Sequence, residues 1–200
     1  IGYKSETQQK NIAWLLPRPK PDNYQGGMPL YAEEWIFDLA RNILNKKSIT
    51  ILHLFSGKGK QGFKVDINHE VNPDLVCDVH FIDSYLPKKL KKSKFDVIFA
   101  DPPYSNKESN ELYGTGKLNY KVWTGRNLKY LREGGLFIIY HKLIMPNPNP
   151  EEYEVVKRVF IGNRTLHAPR VAIYFKKKCR IPTHDMLTKS SNNVNKEKNN

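Results

Sequence analysis

Cysteine is nearly absent: Cys77 and Cys179 are the only two among 200 residues. Two thiols cannot build a disulfide framework, and no Cys/His cluster has zinc-ligand spacing, so no metal site is expected. A reducing, cytoplasmic compartment follows as the expectation. No apolar run approaches the roughly 20 residues of a membrane-spanning helix, which argues against a membrane partner. No period recurs, which excludes collagen, coiled-coil and solenoid architectures. Acidic residues are also scarce, 20 against 33 Lys and Arg. The resulting net charge of +13 and pI near 9.6 satisfy the rough pI > 9 mark of a nucleic-acid binder.

What is present is a core. Hydrophobic residues make up 39% and aromatics 12% of the chain, enough for one domain of this length. Residues 1–30 read as a polar, proline-rich lead-in with Pro17, Pro19, Pro21, Pro29 and Gly26–Gly27. From Tyr31 to Leu44, apolar residues recur at the three-and-four spacing of an amphipathic helix. Short apolar strands are expected at Ile49 to Phe55, Phe63 to Ile67, Leu75 to Val79, Phe95 to Ala100 and Leu136 to Tyr140. Glu151 to Val159 is expected to be helical, and Val159–Ile161 with Val171–Phe175 is expected to form a hairpin. Positive charge gathers in two places: five lysines between Pro87 and Lys94, and a tail over 179–200 that reads as disordered.

Short apolar strands separated by polar segments argue for an open, mostly parallel α/β sheet, whose ligands sit at the strands' carboxyl ends. The chemically suggestive residues fall there: Ser56 and Gly57, Asp66, Asp78 and Asp101. The sharpest signal is Asp101–Pro102–Pro103–Tyr104, a tetrapeptide expected by accident in roughly one such chain in a thousand at average usage. Two prolines fix the backbone and remove its donors. A carbonyl of Asp101 or Pro102 is then left to accept beside the Asp101 carboxylate. Two acceptors aimed at one point suit an exocyclic amino group, and Tyr104 offers a face for stacking a base.

This tetrapeptide after an apolar strand resembles the catalytic motif of class I S-adenosylmethionine-dependent amino-methyltransferases, most closely the DNA adenine-N6 branch. The resemblance implies a Rossmann-like fold: a mostly parallel seven-stranded sheet with an antiparallel C-terminal hairpin. It implies S-adenosylmethionine as cofactor, held by Phe55, Ser56, Gly57 and Gly59 of the glycine loop. Asp66 and Ile67 would meet the ribose, Asp78 and Val79 the adenine, and Asp101 the methionine end. Tyr24, Gly27 and Pro29 of the lead-in would close over the site, with residues 31–178 as the catalytic domain. Asp101, Pro102, Pro103 and Tyr104 would carry catalysis. DNA is then the expected partner, touched by Lys88, Lys89, Lys91, Lys92, Tyr113 and Arg126, with a homodimer or a separate specificity subunit as further partners.

The chain departs from the family twice. Only eight residues separate Gly57 from Asp66, so the helix after the first strand is shortened or missing. No separate target-recognition domain fits, which leaves Ser105 to Arg126 as the recognition loop, or else as a loop capping the sheet with Trp123 in the core. His53 and Cys77 read as packed core residues, and the absence of a Pro–Cys pair argues against covalent cytosine-C5 chemistry. Two alternatives stand beside the adenine-N6 reading: an RNA base or cytosine-N4 methyltransferase, and a nucleic-acid-binding module whose cofactor pocket has decayed.

Overall fold

Apolar residues on one stripe make Leu30–Leu44 a helix, α1. Ala32, Ile36, Phe37 and Ala40 are fully buried while Glu34 and Asp38 face water. The helix stops at Asn45, whose φ of 51° is the left-handed turn that commonly ends helices. The computed structural model describes residues 9–16, 28, 30–103, 110, 118–163 and 169–179.

Eight strands form one sheet: β1 (Asn11–Leu16), β2 (Ile51–Leu54), β3 (Phe63–Asp66), β4 (Leu75–Val76), β5 (Phe95–Ala100), β6 (Leu131–His141), β7 (Tyr153–Asn163) and β8 (Arg170–Lys177). Their order across the sheet is β1-β7-β8-β6-β5-β2-β3-β4. All neighbours are parallel except β8, which runs antiparallel to both β6 and β7. Helices α2 (Ile82–Tyr85), α3 (Lys88–Lys92) and α4 (Tyr120–Asn127) occupy the crossovers.

The sheet is covered on both faces. On β5, Val97 and Phe99 pack into the layer under α1, and Ile98 and Ala100 into the opposite layer with Trp123, Ile82 and Leu128. Burial on both sides explains why this strand is apolar at nearly every position instead of alternating. Asp96 is the exception, and its buried carboxylate accepts from the Thr50 amide and hydroxyl and pairs with Lys46 and Arg132.

Three expectations are corrected or extended. Glu151 to Val159 is not a helix: Tyr153 to Asn163 is strand β7, hydrogen-bonded between β1 and β8. Val155, Val156 and Val159 are β-branched residues that favour a pleated surface, and the two flanking strands override local helix propensity. The hairpin expected from Val159–Ile161 and Val171–Phe175 is present, with Val159 opposite Ala172 and Ile161 opposite Arg170. The sheet has eight strands, not seven, because Asn11–Leu16 adds to the edge of β7. Ile12 and Trp14 of β1 pack inward, an alternation too short to stand out from a polar lead-in. As expected, no helix intervenes between β2 and β3. Among the described residues no helix is long and apolar enough to cross a membrane.

Candidate active site

β2 ends at Leu54, and the chain turns sharply through Phe55 (φ 53°) and Gly57 (φ 48°). The turn is fastened from below. Ser56 donates its amide to the Val65 carbonyl (3.1 Å), and Gly59 donates to the Ser56 carbonyl (2.8 Å). Asp66 is 6% exposed; its Oδ2 accepts from the Gly57 amide at 2.7 Å and its Oδ1 from the Asn68 amide at 2.9 Å. The Asp66 carboxylate therefore ties the glycine loop to the end of β3, and each oxygen keeps acceptor capacity for one more donor. Ile67 follows it, half-buried.

A second fastening comes from α1. Glu33, 2% exposed, accepts the Lys60 amide at 3.0 Å and the Gln61 amide at 2.9 Å on Oε1. Burial raises its carboxyl above the usual carboxylate range, and the two amides pull the other way. His53 donates Nδ1–H to the Gln61 carbonyl (3.2 Å); burial pushes the ring down to about 4, so it is neutral. His53 and Cys77 are packed residues, as the sequence suggested. Sequence reasoning missed Glu33; its signal was a carboxylate on the same helical stripe as Ile36, Phe37 and Ala40. Glu33→Ala leaves the Lys60 and Gln61 amides without their acceptor. We expect a loss of about 1–3 kcal/mol per amide in chemical denaturation; an unchanged midpoint would show that water replaces the carboxylate.

Glycine is required at 59 by crowding. A Cβ there would lie 2.4 Å from His53 Cε1 and 2.9 Å from the Ser56 carbonyl oxygen. Gly59→Ala should cost about 1–3 kcal/mol, the range for overpacking, read as a fall in the melting temperature. Gly57 is the opposite case: a Cβ there would meet nothing within 4 Å. Open space thus lies over the loop, and the buried Ser56 Oγ beneath it has no hydrogen-bond partner among the described residues.

Asp101 stands beside this loop because of strand register. Leu54 pairs with Ala100 on the parallel strand β5, so Phe55 and Asp101 leave adjacent strands at the same height. Burial pushes the Asp101 carboxyl up to about 8, with Arg170 acting in the opposite sense. Pro102 is buried and Pro103 half-buried. His141, at the end of β6, fixes the turn: its Nδ1 accepts from the Leu143 amide at 3.0 Å, and it bonds the Pro103 backbone, whose only polar group is the carbonyl. The other ring nitrogen therefore carries the proton, and burial lowers the ring's basicity. His141 too was missed; a histidine closing an apolar strand was the available signal.

Asp78 caps the 3-10 turn Val79–Phe81, its Oδ1 accepting from the His80 amide and lying 2.8 Å from His80 Nδ1; Val79 is buried. Phe55 meets Trp123 edge-on at 5.4 Å, and Trp123 is buried under the sheet. The expected recognition loop therefore stops short of residue 120: Tyr120–Asn127 is helix α4, and the core reading of Trp123 holds. Arg126 donates to the His80 carbonyl and lies over the Phe81 ring. The structure does not bring Lys88, Lys89, Lys91 and Lys92 to this site. They form α3 before the amino end of β5, whereas Asp101 follows its carboxyl end, and six residues of strand span roughly 20 Å. Tyr24, Gly27, Pro29, Tyr104, Tyr113 and the tail beyond 179 lie outside the described residues. Among the described residues no group of three His, Cys, Asp or Glu side chains is placed to hold a metal.

No protein-family model and no curated protein sequence matches the chain. Solved structures do. The N-methyltransferase NodS from Bradyrhizobium japonicum WM9, in complex with S-adenosyl-L-homocysteine, superposes with a TM-score of 0.51 at 10% identity, over 79% of this chain and 93% of NodS. The rRNA methyltransferase aviRa from Streptomyces viridochromogenes gives 0.48 at 11% identity, over 78% and 87%. TrmN from Thermus thermophilus gives 0.46 at 15% identity over 70% of this chain, which spans about half (48%) of TrmN. At 10% identity the likeness to NodS is one of architecture: this chain has a mostly parallel, Rossmann-like α/β fold with an antiparallel hairpin.

Proposed function

We propose that the protein is an S-adenosylmethionine-dependent methyltransferase acting on an exocyclic amino group of a nucleic-acid base, with N6 of adenine in DNA as the first candidate. The observation that carries this is the Asp101 carboxyl, held beside the open glycine loop and followed by two prolines that donate nothing. The cofactor fits the residues present. Open space over Gly57 admits a ligand against the backbone, and the partnerless Ser56 Oγ offers it a hydrogen bond. Phe55, Ser56, Gly57 and Gly59 would hold it, with Asp66, Ile67, Asp78 and Val79 on the neighbouring strand ends. When bound, it supplies an electrophilic methyl group.

The remaining work falls to this chain. Ionised Asp101 accepts one N–H of the target amine and the Pro102 carbonyl the other, which turns the nitrogen lone pair out of conjugation with the base. His141 already bonds the Pro103 carbonyl, so that oxygen is committed to positioning the turn. After transfer the nitrogen must lose a proton, and a carboxylate whose conjugate acid titrates near 8 is basic enough to receive it at Oδ. Alignment of the two acceptors supplies most of the rate. A target amine stacked inside a duplex is out of reach, so the base is flipped out or single-stranded.

The test is to incubate DNA and RNA with methyl-tritiated cofactor, digest both and identify the labelled nucleoside. N6-methyldeoxyadenosine is expected. Label in a ribonucleoside or in N4-methylcytosine would reassign the base. No label from a protein that binds S-adenosyl-homocysteine would sink the amino-methyltransferase reading, and no binding of that compound would leave a nucleic-acid-binding module.

A further inference from the structure

At the amino end of the sheet, away from Asp101, a groove of about 720 Å³ opens between α4, the start of β6 and the loop before β7. Lys94, Lys121, Lys129, Arg132 and Lys177 line it, against two acids, Glu133 and Glu152. Three of the cations are answered by carboxylates: Lys129 by Asp83 at 2.6 Å, Arg132 Nη1 by Asp96 at 2.8 Å, and Lys177 by Glu133 at 3.4 Å. Lys121 has no carboxylate partner among the described residues, and Lys94 donates to the Lys129 carbonyl without pairing with any carboxylate there. The Arg132 guanidinium is held in place by its pairing with Asp96 and lines the groove with the remaining cations.

The positive charge continues out of the groove. Lys91 of α3 and Lys129 of the groove both bind Asp83, one through its carbonyl and the other through its carboxylate. Lys88, Lys89 and Lys92 lie exposed on the same short helix. Cations strung along a track, instead of converging on one point, match a row of phosphates better than a single small anion.

We propose that this groove, with α3 beside it, is a remote contact for the phosphate backbone of the nucleic-acid substrate. The inference rests on the nucleic-acid reading above for its choice of ligand. Its geometry adds a length requirement. Some 20 Å of strand separates the two ends of the sheet, and duplex DNA rises 3.4 Å per base pair. A substrate must therefore extend at least about six base pairs from the target to reach the groove. Short substrates are served by the Asp101 end alone.

The experiment compares the double variant Lys94→Glu/Lys121→Glu with wild type on a labelled 24-base-pair duplex and on a single-stranded hexamer with its target base near the centre, so that neither arm reaches the groove. Affinity is read by fluorescence anisotropy across salt and transfer by KM and kcat. For the duplex we expect at least about tenfold weaker binding, a salt slope smaller by about two, and a raised KM at constant kcat. The hexamer and S-adenosyl-homocysteine should bind as to wild type. Lys94→Gln/Lys121→Gln, which removes both charges without adding repulsion, should lower the slope equally. Wild-type duplex affinity and slope in both variants would overturn the proposal. So would an equal loss on the hexamer, or displacement of the duplex by 1:1 binding of micromolar inorganic phosphate or AMP. If the groove variants weaken duplex binding but no nucleic acid is ever methylated, the groove stands and the methyltransferase reading fails. If transfer occurs and the variants are silent, the reverse holds.

Discussion

Asp101→Ala is expected to cut methyl transfer by at least about a hundredfold, the effect of losing one preorganised electrostatic contact in a transition state. The carboxylate's interaction with the amine strengthens as the nitrogen lone pair turns toward the methyl, so the loss should fall on kcat more than on KM. The fold should persist, since Asp101 sits past the end of β5 and the core residues Ile98, Phe99 and Ala100 are untouched. Asp101→Asn is the finer probe. It keeps size and one acceptor oxygen but turns an N–H toward an amine that also donates. Severe impairment is expected here as well. Near-normal transfer by a folded, cofactor-binding Asp101→Asn protein would remove the proposed mechanism.

The second large effect is on pH. With its pKa raised to about 8 by burial, Asp101 is mostly protonated at pH 6, which makes it a weak acceptor for its amine hydrogen and leaves it unable to receive the proton released after transfer. For the wild type, kcat/KM should rise with pH at close to tenfold per unit and level off above pH 8, roughly fiftyfold between pH 6 and 8. The residual activity of Asp101→Asn should lack this limb. Stability moves in the opposite sense. The folded state keeps the proton to a higher pH than the unfolded chain, so Asp101 favours folding below its ordinary pKa of 3.8. That contribution declines as pH rises and is gone above about 8. Asp101→Asn should therefore gain stability relative to wild type between pH 5 and 9. A flat rate profile together with a constant stability difference would show that the carboxyl is ionised throughout.

The sheet was readable wherever two-sided burial left an uninterrupted apolar run, as in Phe95 to Ala100 and Ile51 to Leu54. It was unreadable where tertiary partners decided the outcome. Glu151, Glu152 and Glu154 give β7 a helical look, and only its neighbours β1 and β8 make it a strand. The polar residues at strand ends were legible, because Asp66, Asp78 and Asp101 interrupt apolar segments where the fold class places ligands. Their supports were not. Glu33 lies 27 residues from Lys60 and His141 lies 38 residues beyond Pro103, and no local pattern links either pair. The lysines of α3 were legible as charge but not as a position, because which end of the sheet carries them depends on whether they precede or follow a strand.

Strand β1 has a consequence for how the chain reaches its native state. Asn11 pairs with Arg158 and Leu16 with Asn163, so this ladder joins segments some 147 residues apart in sequence. Contacts so distant are slow to close, and during synthesis β1 must wait until β7 has emerged. Until it docks, the eleven-residue β7 presents an unpaired edge, a template for another molecule's strand. Shortening the chain to begin after Leu16 would make that state permanent. Such a chain should associate edge to edge at concentrations where the uncut chain stays dispersed, and refolding should be cleanest when dilute.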